Sequence, residues 1–206
     1  HNDGCNDSRH DGIHAFHVGK NANVTYAEKH YGEGSGTGER ILNPVTQIFL
    51  EEGAVFTLDT AQIGGVDSTV RKTEVSMEAD AKLFVMEKLM THDNQTAVSD
   101  MTVEMNGAGS SAQIVSRSVA KGHSVQTFHP IAIGNALCHA HVQCDSIIMD
   151  KAQISSIPEI NARDIDAQII HEAAIGRINN EQILKLRTFG MTEEEAEAVI
   201  IEDFLA

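Results

Sequence analysis

The most constraining feature of this chain is the spacing of its turns. Small or polar clusters interrupt short apolar-alternating runs at Asn21-Ala22-Asn23, Glu52-Gly53-Ala54, Ala79-Asp80-Ala81, Gly107-Ala108-Gly109, Lys121-Gly122-His123, Gly134-Asn135-Ala136, Asp150-Lys151-Ala152 and Asp164-Ile165-Asp166-Ala167. Measured at Ala22, Ala54, Ala81, Gly109, Gly122, Ala136, Ala152 and Ala167, the gaps are 32, 27, 28, 13, 14, 16 and 15 residues. They form one spacing near 14 and its double. A fixed period in strands and turns marks a stacked β-architecture. A parallel β-helix with a winding of about 28 residues accounts for this. A β-sandwich is the alternative, but its turns need not double so regularly. The sixfold period of left-handed hexapeptide helices is absent.

Composition narrows the function. Fifteen Lys and Arg against thirty Asp and Glu give a net charge of −15, which argues against nucleic acid and against anionic lipid. The 206 residues suffice for one domain with a small appendage, and a 41% hydrophobic content is ordinary for a globular core. Aromatics are only 4% and Trp is absent, so that core must be aliphatic. Three cysteines do not form a disulfide framework and fit a reducing cytoplasm, or thiols kept for metal. No apolar run is long enough to span a membrane, and no signal peptide is visible. The first residue is His1 rather than Met, so an earlier targeting segment or a further domain stays open.

Three zones follow. Residues 1–17, rich in His and Asp, are expected to be loop or frayed strand. Residues 18–174 are expected to form the β-helix core. Residues 175–206 are expected to be helical. Asn180 can cap one helix that Gly190 closes. Thr192 with Glu195 makes a capping box for a second, in which Ala196, Val199, Ile200 and Phe204 would share a face. Two such helices must pack on the β-body, on a partner, or on both.

The densest set of metal-ligating residues is Cys138-His139-Ala140-His141-Val142-Gln143-Cys144-Asp145. As a strand, Cys138, Ala140, Val142 and Cys144 share one face, and His139, His141 and Gln143 the other. The two cysteines lie roughly 20 Å apart along such a strand, so one metal cannot take both. On the residues alone, two buried thiols filling the core account for that face. The winding length adds a second possibility for Cys144. Glu172 is 28 residues on, and a 28-residue winding would place it directly above Cys144 at strand spacing, within reach of one metal. His171 would point to the other side unless a bulge or a second subunit intervened. Without that context His171-Glu172 is a solvated end-of-strand pair. The run Gly32-Glu33-Gly34-Ser35-Gly36-Thr37-Gly38-Glu39-Arg40 lacks the Lys-Ser/Thr end of a phosphate loop and is expected to be a surface loop. His1, His10, His14, His17 and Cys5 are expected to hold no specific site. There is no nucleophile elbow and no convincing pair of glycosidase carboxylates.

Four segments in order carry a resemblance: Cys144-Asp145-Ser146-Ile147-Ile148-Met149, Ile157-Pro158-Glu159-Ile160, His171-Glu172-Ala173-Ala174-Ile175-Gly176-Arg177-Ile178 and Glu181-Gln182-Ile183-Leu184. Together with Ser116-Arg117-Ser118-Val119-Ala120-Lys121-Gly122 upstream, they closely resemble the SufB/SufD family, the scaffold subunits of the SUF iron–sulfur cluster assembly machinery. The resemblance covers most of residues 41–205.

It implies a right-handed parallel β-helix with a short C-terminal helical segment. It also implies a SufC-like ABC-type ATPase docked on those helices, and a dimer formed near the C-terminal end of the β-helix with a second copy or a paralogous subunit. In SufB, the cysteine of Cys-Asp-Ser and the glutamate of His-Glu-Ala are implicated in building the cluster, and these correspond to Cys144 and Glu172. SufD members lack the cysteine motif and contribute the histidine that corresponds to His171. This chain has all three, so it resembles SufB, or an undivided form that pairs with itself as in minimal archaeal-type systems. The implied cofactor is a nascent iron–sulfur cluster held by Cys144, Glu172 and His171. The implied protein is a non-catalytic cytoplasmic scaffold whose ATP is hydrolysed by the partner. A SufD-like adaptor that dimerises and docks the ATPase without a cluster is the alternative. The chain departs from the family in its short N-terminal region, in the absence of a terminal cysteine, and in a Cys144-to-Glu172 spacing about one residue shorter than in bacterial SufB.

Overall fold

The computed structural model describes residues 7–31 and 38–206; Cys5, His1 and most of the Gly-rich run at 32–40 lie outside the described residues. Along the chain run β1 (Ser8–His10), β2 (Ile13–Val18), β3 (Asn23–Tyr31), β4 (Arg40–Leu42), β5 (Val45–Leu50), β6 (Val55–Ile63), β7 (Ser68–Met77) and β8 (Lys82–Thr91). There follow β9 (Thr96–Met105), β10 (Ser110–Ala120), β11 (Val125–Gly134), β12 (Cys138–Ile148), β13 (Gln153–Ser156), β14 (Glu159–Ala162) and β15 (Ala167–Gly176), then the helices α1 (Asn180–Thr188) and α2 (Glu193–Leu205).

Every strand pairing is parallel, and two sheets alternate along the chain. One sheet stacks β3, β6, β8, β10, β12 and β15; the other stacks β1, β4, β7, β9, β11 and β13, with β2, β5 and β14 extending it. The result is a parallel β-solenoid of about six windings. Asn23 pairs with Val55, Val55 with Lys82, Lys82 with Ser111, Ser110 with Cys138 and Cys138 with Ala167, so successive offsets are 32, 27, 29, 28 and 29.

The periodic clusters are the corners. Asn21, Asp80 and Asp150 have φ of 55°, 57° and 52°, and Gly53, Gly109 and Gly122 have φ of 70°, 79° and 67°. These are left-handed conformations open to Gly and, less readily, to Asn and Asp. Corners of successive windings touch: a Cβ on Gly53 would lie 2.2 Å from Asn21 Oδ1, and one on Gly109 2.2 Å from Asp80 Oδ1. At these two corners the Asx side chain of one winding fills the space beside the glycine of the next.

The solenoid begins earlier than the sequence zones predict. β1 and β2 are paired strands within the stretch expected to be loop or frayed strand, with β2 laid on β5. Val18 is buried and Phe16 half-buried against the core, whose ladder satisfies their backbone. Two apolar side chains on an otherwise polar stretch suffice because β5 supplies the rest of the surface. At the far end β15 runs to Gly176, two residues past the expected boundary.

The helices follow their capping signals. Asn179 rather than Asn180 caps α1, its Oδ1 accepting from Glu181 N at 2.9 Å. The Thr192–Glu195 capping box is present. The buried face of α2 is Ala196, Ile201 and Leu205, with Phe204 partly covered; Val199, expected on that face, is 42% exposed. The face rotates because α2 packs across one solenoid corner, on Val119 and Met149 with Met90 and Ile147 beside them. Arg117 and Lys88 then donate to the carbonyls of Phe204 (3.3 Å) and Ala206 (2.8 Å), satisfying the end of the helix. Among the described residues no helix is long and apolar enough to cross a membrane.

Candidate functional site

Strand alternation divides the solenoid interior into columns, each taking one residue per winding. One inward column runs Tyr26, Leu58, Val85, Ile114, Val142 and His171. The next runs Glu28, Thr60, Glu87, Ser116, Cys144 and Ala173. The first is apolar until its last member. The second is polar from Glu28 to Cys144, and all five of those side chains are buried. From the facing sheet, Arg71, Ser99, Phe128 and Ser156 form the opposing column.

The early end of this polar column is an ion pair. Arg71 donates to Glu28 Oε2 at 3.4 Å, and His30 pairs with the other carboxylate oxygen. Burial pushes the Glu28 carboxyl up, but His30 and Arg71 outweigh it and hold its pKa at about 2. Burial pushes the Glu87 carboxyl up, only partly opposed by Arg71 and by Ser99, whose hydroxyl donates to it at 2.9 Å. None of these groups was singled out from the sequence. Each was nonetheless marked by parity: Glu87 shares the inward register of Leu83 and Val85, and Arg71 that of Val75 and Met77.

The late end is the thiol. Cys144 is 3% exposed, and its Sγ lies 3.2 Å from His171 Nε2. Burial pushes the Cys144 pKa up to about 11, with only partial opposition from the Ser156 hydroxyl. Burial also lowers the pKa of His171. Burial thus favours the neutral form of both partners, a thiol in hydrogen-bond contact with an imidazole. An enclosed cavity of about 10 Å³ adjoins it, lined in part by Glu87, Ser99, Ser116, Ser146 and Ser156. That is room for about one water and not for a metal cluster.

Of the three residues expected at one centre, the structure brings two together. The last winding offset is 29, not 28, so Cys144 pairs in register with Ala173, while Glu172 pairs with Gln143 and points outward. On that outer face Glu172 Oε2 lies 3.3 Å from His141 Nε2. The extra residue sits in the corner before β15, where Asp166 N donates to Asp164 Oδ1 in an Asx turn. It inverts the expected pairing: His171 joins the thiol, and Glu172 joins the outward histidine. Cys138 has 0% exposure within the apolar core, as the core reading of that thiol requires. Both described cysteines are free.

A model of the family described as "SUF system FeS cluster assembly, SufBD core domain" matches residues 8–129 and 69–204. The chain belongs to the SufBD core-domain family. Among curated relatives, an iron-sulfur cluster assembly SufBD family protein of Methanocaldococcus jannaschii is 29% identical over 91% of this chain and 60% of its own length. One from Pyrococcus horikoshii is 30% identical over 97% of this chain and 60% of its own. A third, from Archaeoglobus fulgidus, is 28% identical over 95% of this chain and 52% of its own. The chain thus spans between half and three-fifths of the length of these SufBD relatives.

Proposed function

We propose that this SufBD core is a scaffold for iron–sulfur cluster assembly, with Cys144 and His171 as the residues that hold iron and sulfide. The observation that carries this reading is the 3.2 Å thiol–imidazole contact on the last two windings of the solenoid. Thiolate and imidazole are established ligands for iron in clusters. Among the described residues no three His, Cys, Asp or Glu side chains converge on one point, so the remaining iron ligands must be sulfide, a movement of the chain, or a second subunit.

A resting site in this state suits transient cargo. A thiol with a pKa of about 11 must give up its proton before it ligates, which opposes metal binding at pH 7 by roughly 5 kcal/mol. Iron therefore enters only when delivered, and the neutral, buried thiol resists oxidation until then. The small cavity means that a cluster forms at the open edge of the last winding rather than inside. That edge, β13–β15, displays Ile157, Ile160, Ile165, Ile170 and Ile175, each at least 44% exposed. A second copy of this chain or a paralogous subunit placed there would cover them and complete the site. Leu184, Phe189 and Val199 leave a second apolar surface on the helix pair, suited to a SufC-like ABC-type ATPase. The chain itself hydrolyses nothing in this scheme and works in the reducing cytoplasm.

The test is anaerobic reconstitution with ferrous iron and sulfide, counting both per chain. Wild type should retain them with cluster absorption. Cys144→Ala should retain the fold and lose at least tenfold of the bound iron and sulfide. Equal retention by the variant would refute the assignment.

A further inference from the structure

Cys144 faces a hydroxyl that the rest of the interior leaves idle. Successive windings set one member of the polar column against one member of the opposing column: Glu87 with Ser99, Ser116 with Phe128, Cys144 with Ser156. In each case the second residue follows the first by 12 positions, so the three pairs occupy equivalent places. In the first pair the Ser99 hydroxyl donates to the Glu87 carboxyl at 2.9 Å. In the third pair Ser156 stands where Ser99 stands, and the sulfur stands where the carboxyl does. The Ser156 hydroxyl is near enough to oppose the effect of burial on the thiol. Yet its Oγ is buried with no hydrogen-bond partner of normal geometry among the described residues. Other hydroxyls around the same cavity are engaged, Ser118 with Ser146 at 2.8 Å and Ser99 with Glu87.

A buried hydroxyl without a partner is costly. A neutral thiol is a weak acceptor and does little to relieve that cost. A sulfur that ligates metal carries negative charge and is a strong acceptor. The backbone fixes the hydroxyl in place: Ser156 ends β13 in register with Phe128, Ile157 N donates to Phe128 O at 2.9 Å, and Pro158 follows. We propose that Ser156 is a positioning residue for the ligating sulfur, its hydroxyl donating an O–H···S hydrogen bond to Cys144 when that sulfur carries metal. This rests on the reading of Cys144 as an iron ligand. The bond orients the sulfur and draws charge from it, as hydrogen bonds to ligand sulfur do in tuning iron–sulfur centres. It forms only in the loaded state, so it favours retention of metal without stabilising the empty protein.

Anaerobic cobalt(II) titration of the whole chain reads this through the sulfur-to-cobalt charge-transfer band. A hydrogen bond to the sulfur lowers the energy of its lone pairs and moves that band to shorter wavelength. Wild type should show a band that Cys144→Ala abolishes. Ser156→Ala should keep the band, move it to longer wavelength and bind cobalt about tenfold more weakly. Ser156→Thr, which restores a hydroxyl, should return both toward wild type. Without metal, Ser156→Ala should unfold at no lower urea concentration than wild type, because no bond is lost. Ser118→Ala, which opens a closed hydroxyl pair beside the same cavity, should unfold earlier and leave the band in place. A band that stays at its wild-type position in Ser156→Ala overturns the proposal. An equal shift in Ser118→Ala, or early unfolding of metal-free Ser156→Ala, overturns it as well. A wild-type band that is absent, or that survives in Cys144→Ala, refutes the thiol as ligand and overturns the proposal with it.

Discussion

The two ends of one inward column make opposite use of the same position. At Glu28 and Glu87 the solenoid buries carboxyls and settles them with Arg71, His30 and Ser99. Four windings after Glu28, in the same column, it buries Cys144 beside a lowered-pKa His171, where Glu87 and Asp145 add to burial in holding the thiol protonated. The first end starts at β3, the edge strand of its sheet, and runs to β8, which β6 and β10 flank; the second lies on β12 and β15, the last two strands of the same sheet, with β15 at the open edge. The backbone setting is the same, so what differs is the set of partners across the interior. A solenoid can thus keep a thiol neutral and covered without a dedicated pocket, by burying it beside an imidazole and hydroxyls rather than beside a cation.

The largest test of this contrast is Arg71→Gln. It leaves Glu28 without its cation in the interior, and removing one partner of a buried pair typically costs about 3–5 kcal/mol. Urea unfolding should show a loss of that order, while iron retention by the folded fraction stays as in wild type. A loss below about 1 kcal/mol would mean that this end of the column is not held by charge.

Acid titration should expose the same end. The Glu28 pKa is depressed from 4.5 to about 2, so its contribution is fully present above pH 4.5 and disappears as pH falls toward 2. The shift corresponds to roughly 3 kcal/mol. Stability measured between pH 5 and 2.5 should fall by an amount of that order beyond what Glu28→Gln shows over the same range.

Glu87 carries the opposite sign. Its folded-state pKa is raised, so above pH 4.5 the unfolded chain releases a proton that the folded chain keeps, and stability falls as pH rises. Glu87→Gln should stabilise the protein at pH 7 by about 1–2 kcal/mol, and flatten that decline. Destabilisation at pH 7 would show that Glu87 is charged and paired in the folded state.

The thiol end should be the least sensitive. His171→Gln lies on an open edge and should shift unfolding by no more than about 0.5–1 kcal/mol. A larger cost would make the imidazole a structural anchor rather than a ligand held ready.

Much of the scaffold was legible because corners are chemically marked. Asn21, Gly53, Asp80, Gly109, Gly122 and Asp150 all take left-handed conformations, and their residue types announced it. The inward face of β12 and the Thr192 capping box were legible for similar reasons, alternation in one case and reciprocal hydrogen bonding in the other. The family was legible from the ordered segments between Ser116 and Leu184. The pairing at the site was not. A winding of 28 or 29 residues looks the same in spacing, yet one residue in the corner at Asp164–Asp166 exchanges which of His171 and Glu172 faces the thiol. Strand parity amplifies a small loop difference into an inverted ligand set. For β1 and β2 the choice between loop and frayed strand stayed open because their stability comes from β4 and β5 rather than from their own composition.

The central claim is that the imidazole of His171, with the thiol of Cys144, ligates the assembling cluster. Pulsed electron paramagnetic resonance on the reduced, reconstituted protein, prepared with and without ¹⁵N-labelled histidine, reads this ligand directly. The account predicts a strong nitrogen coupling that changes with the label and vanishes in His171→Gln. A cluster with no such coupling, or one whose coupling survives that substitution, would contradict it.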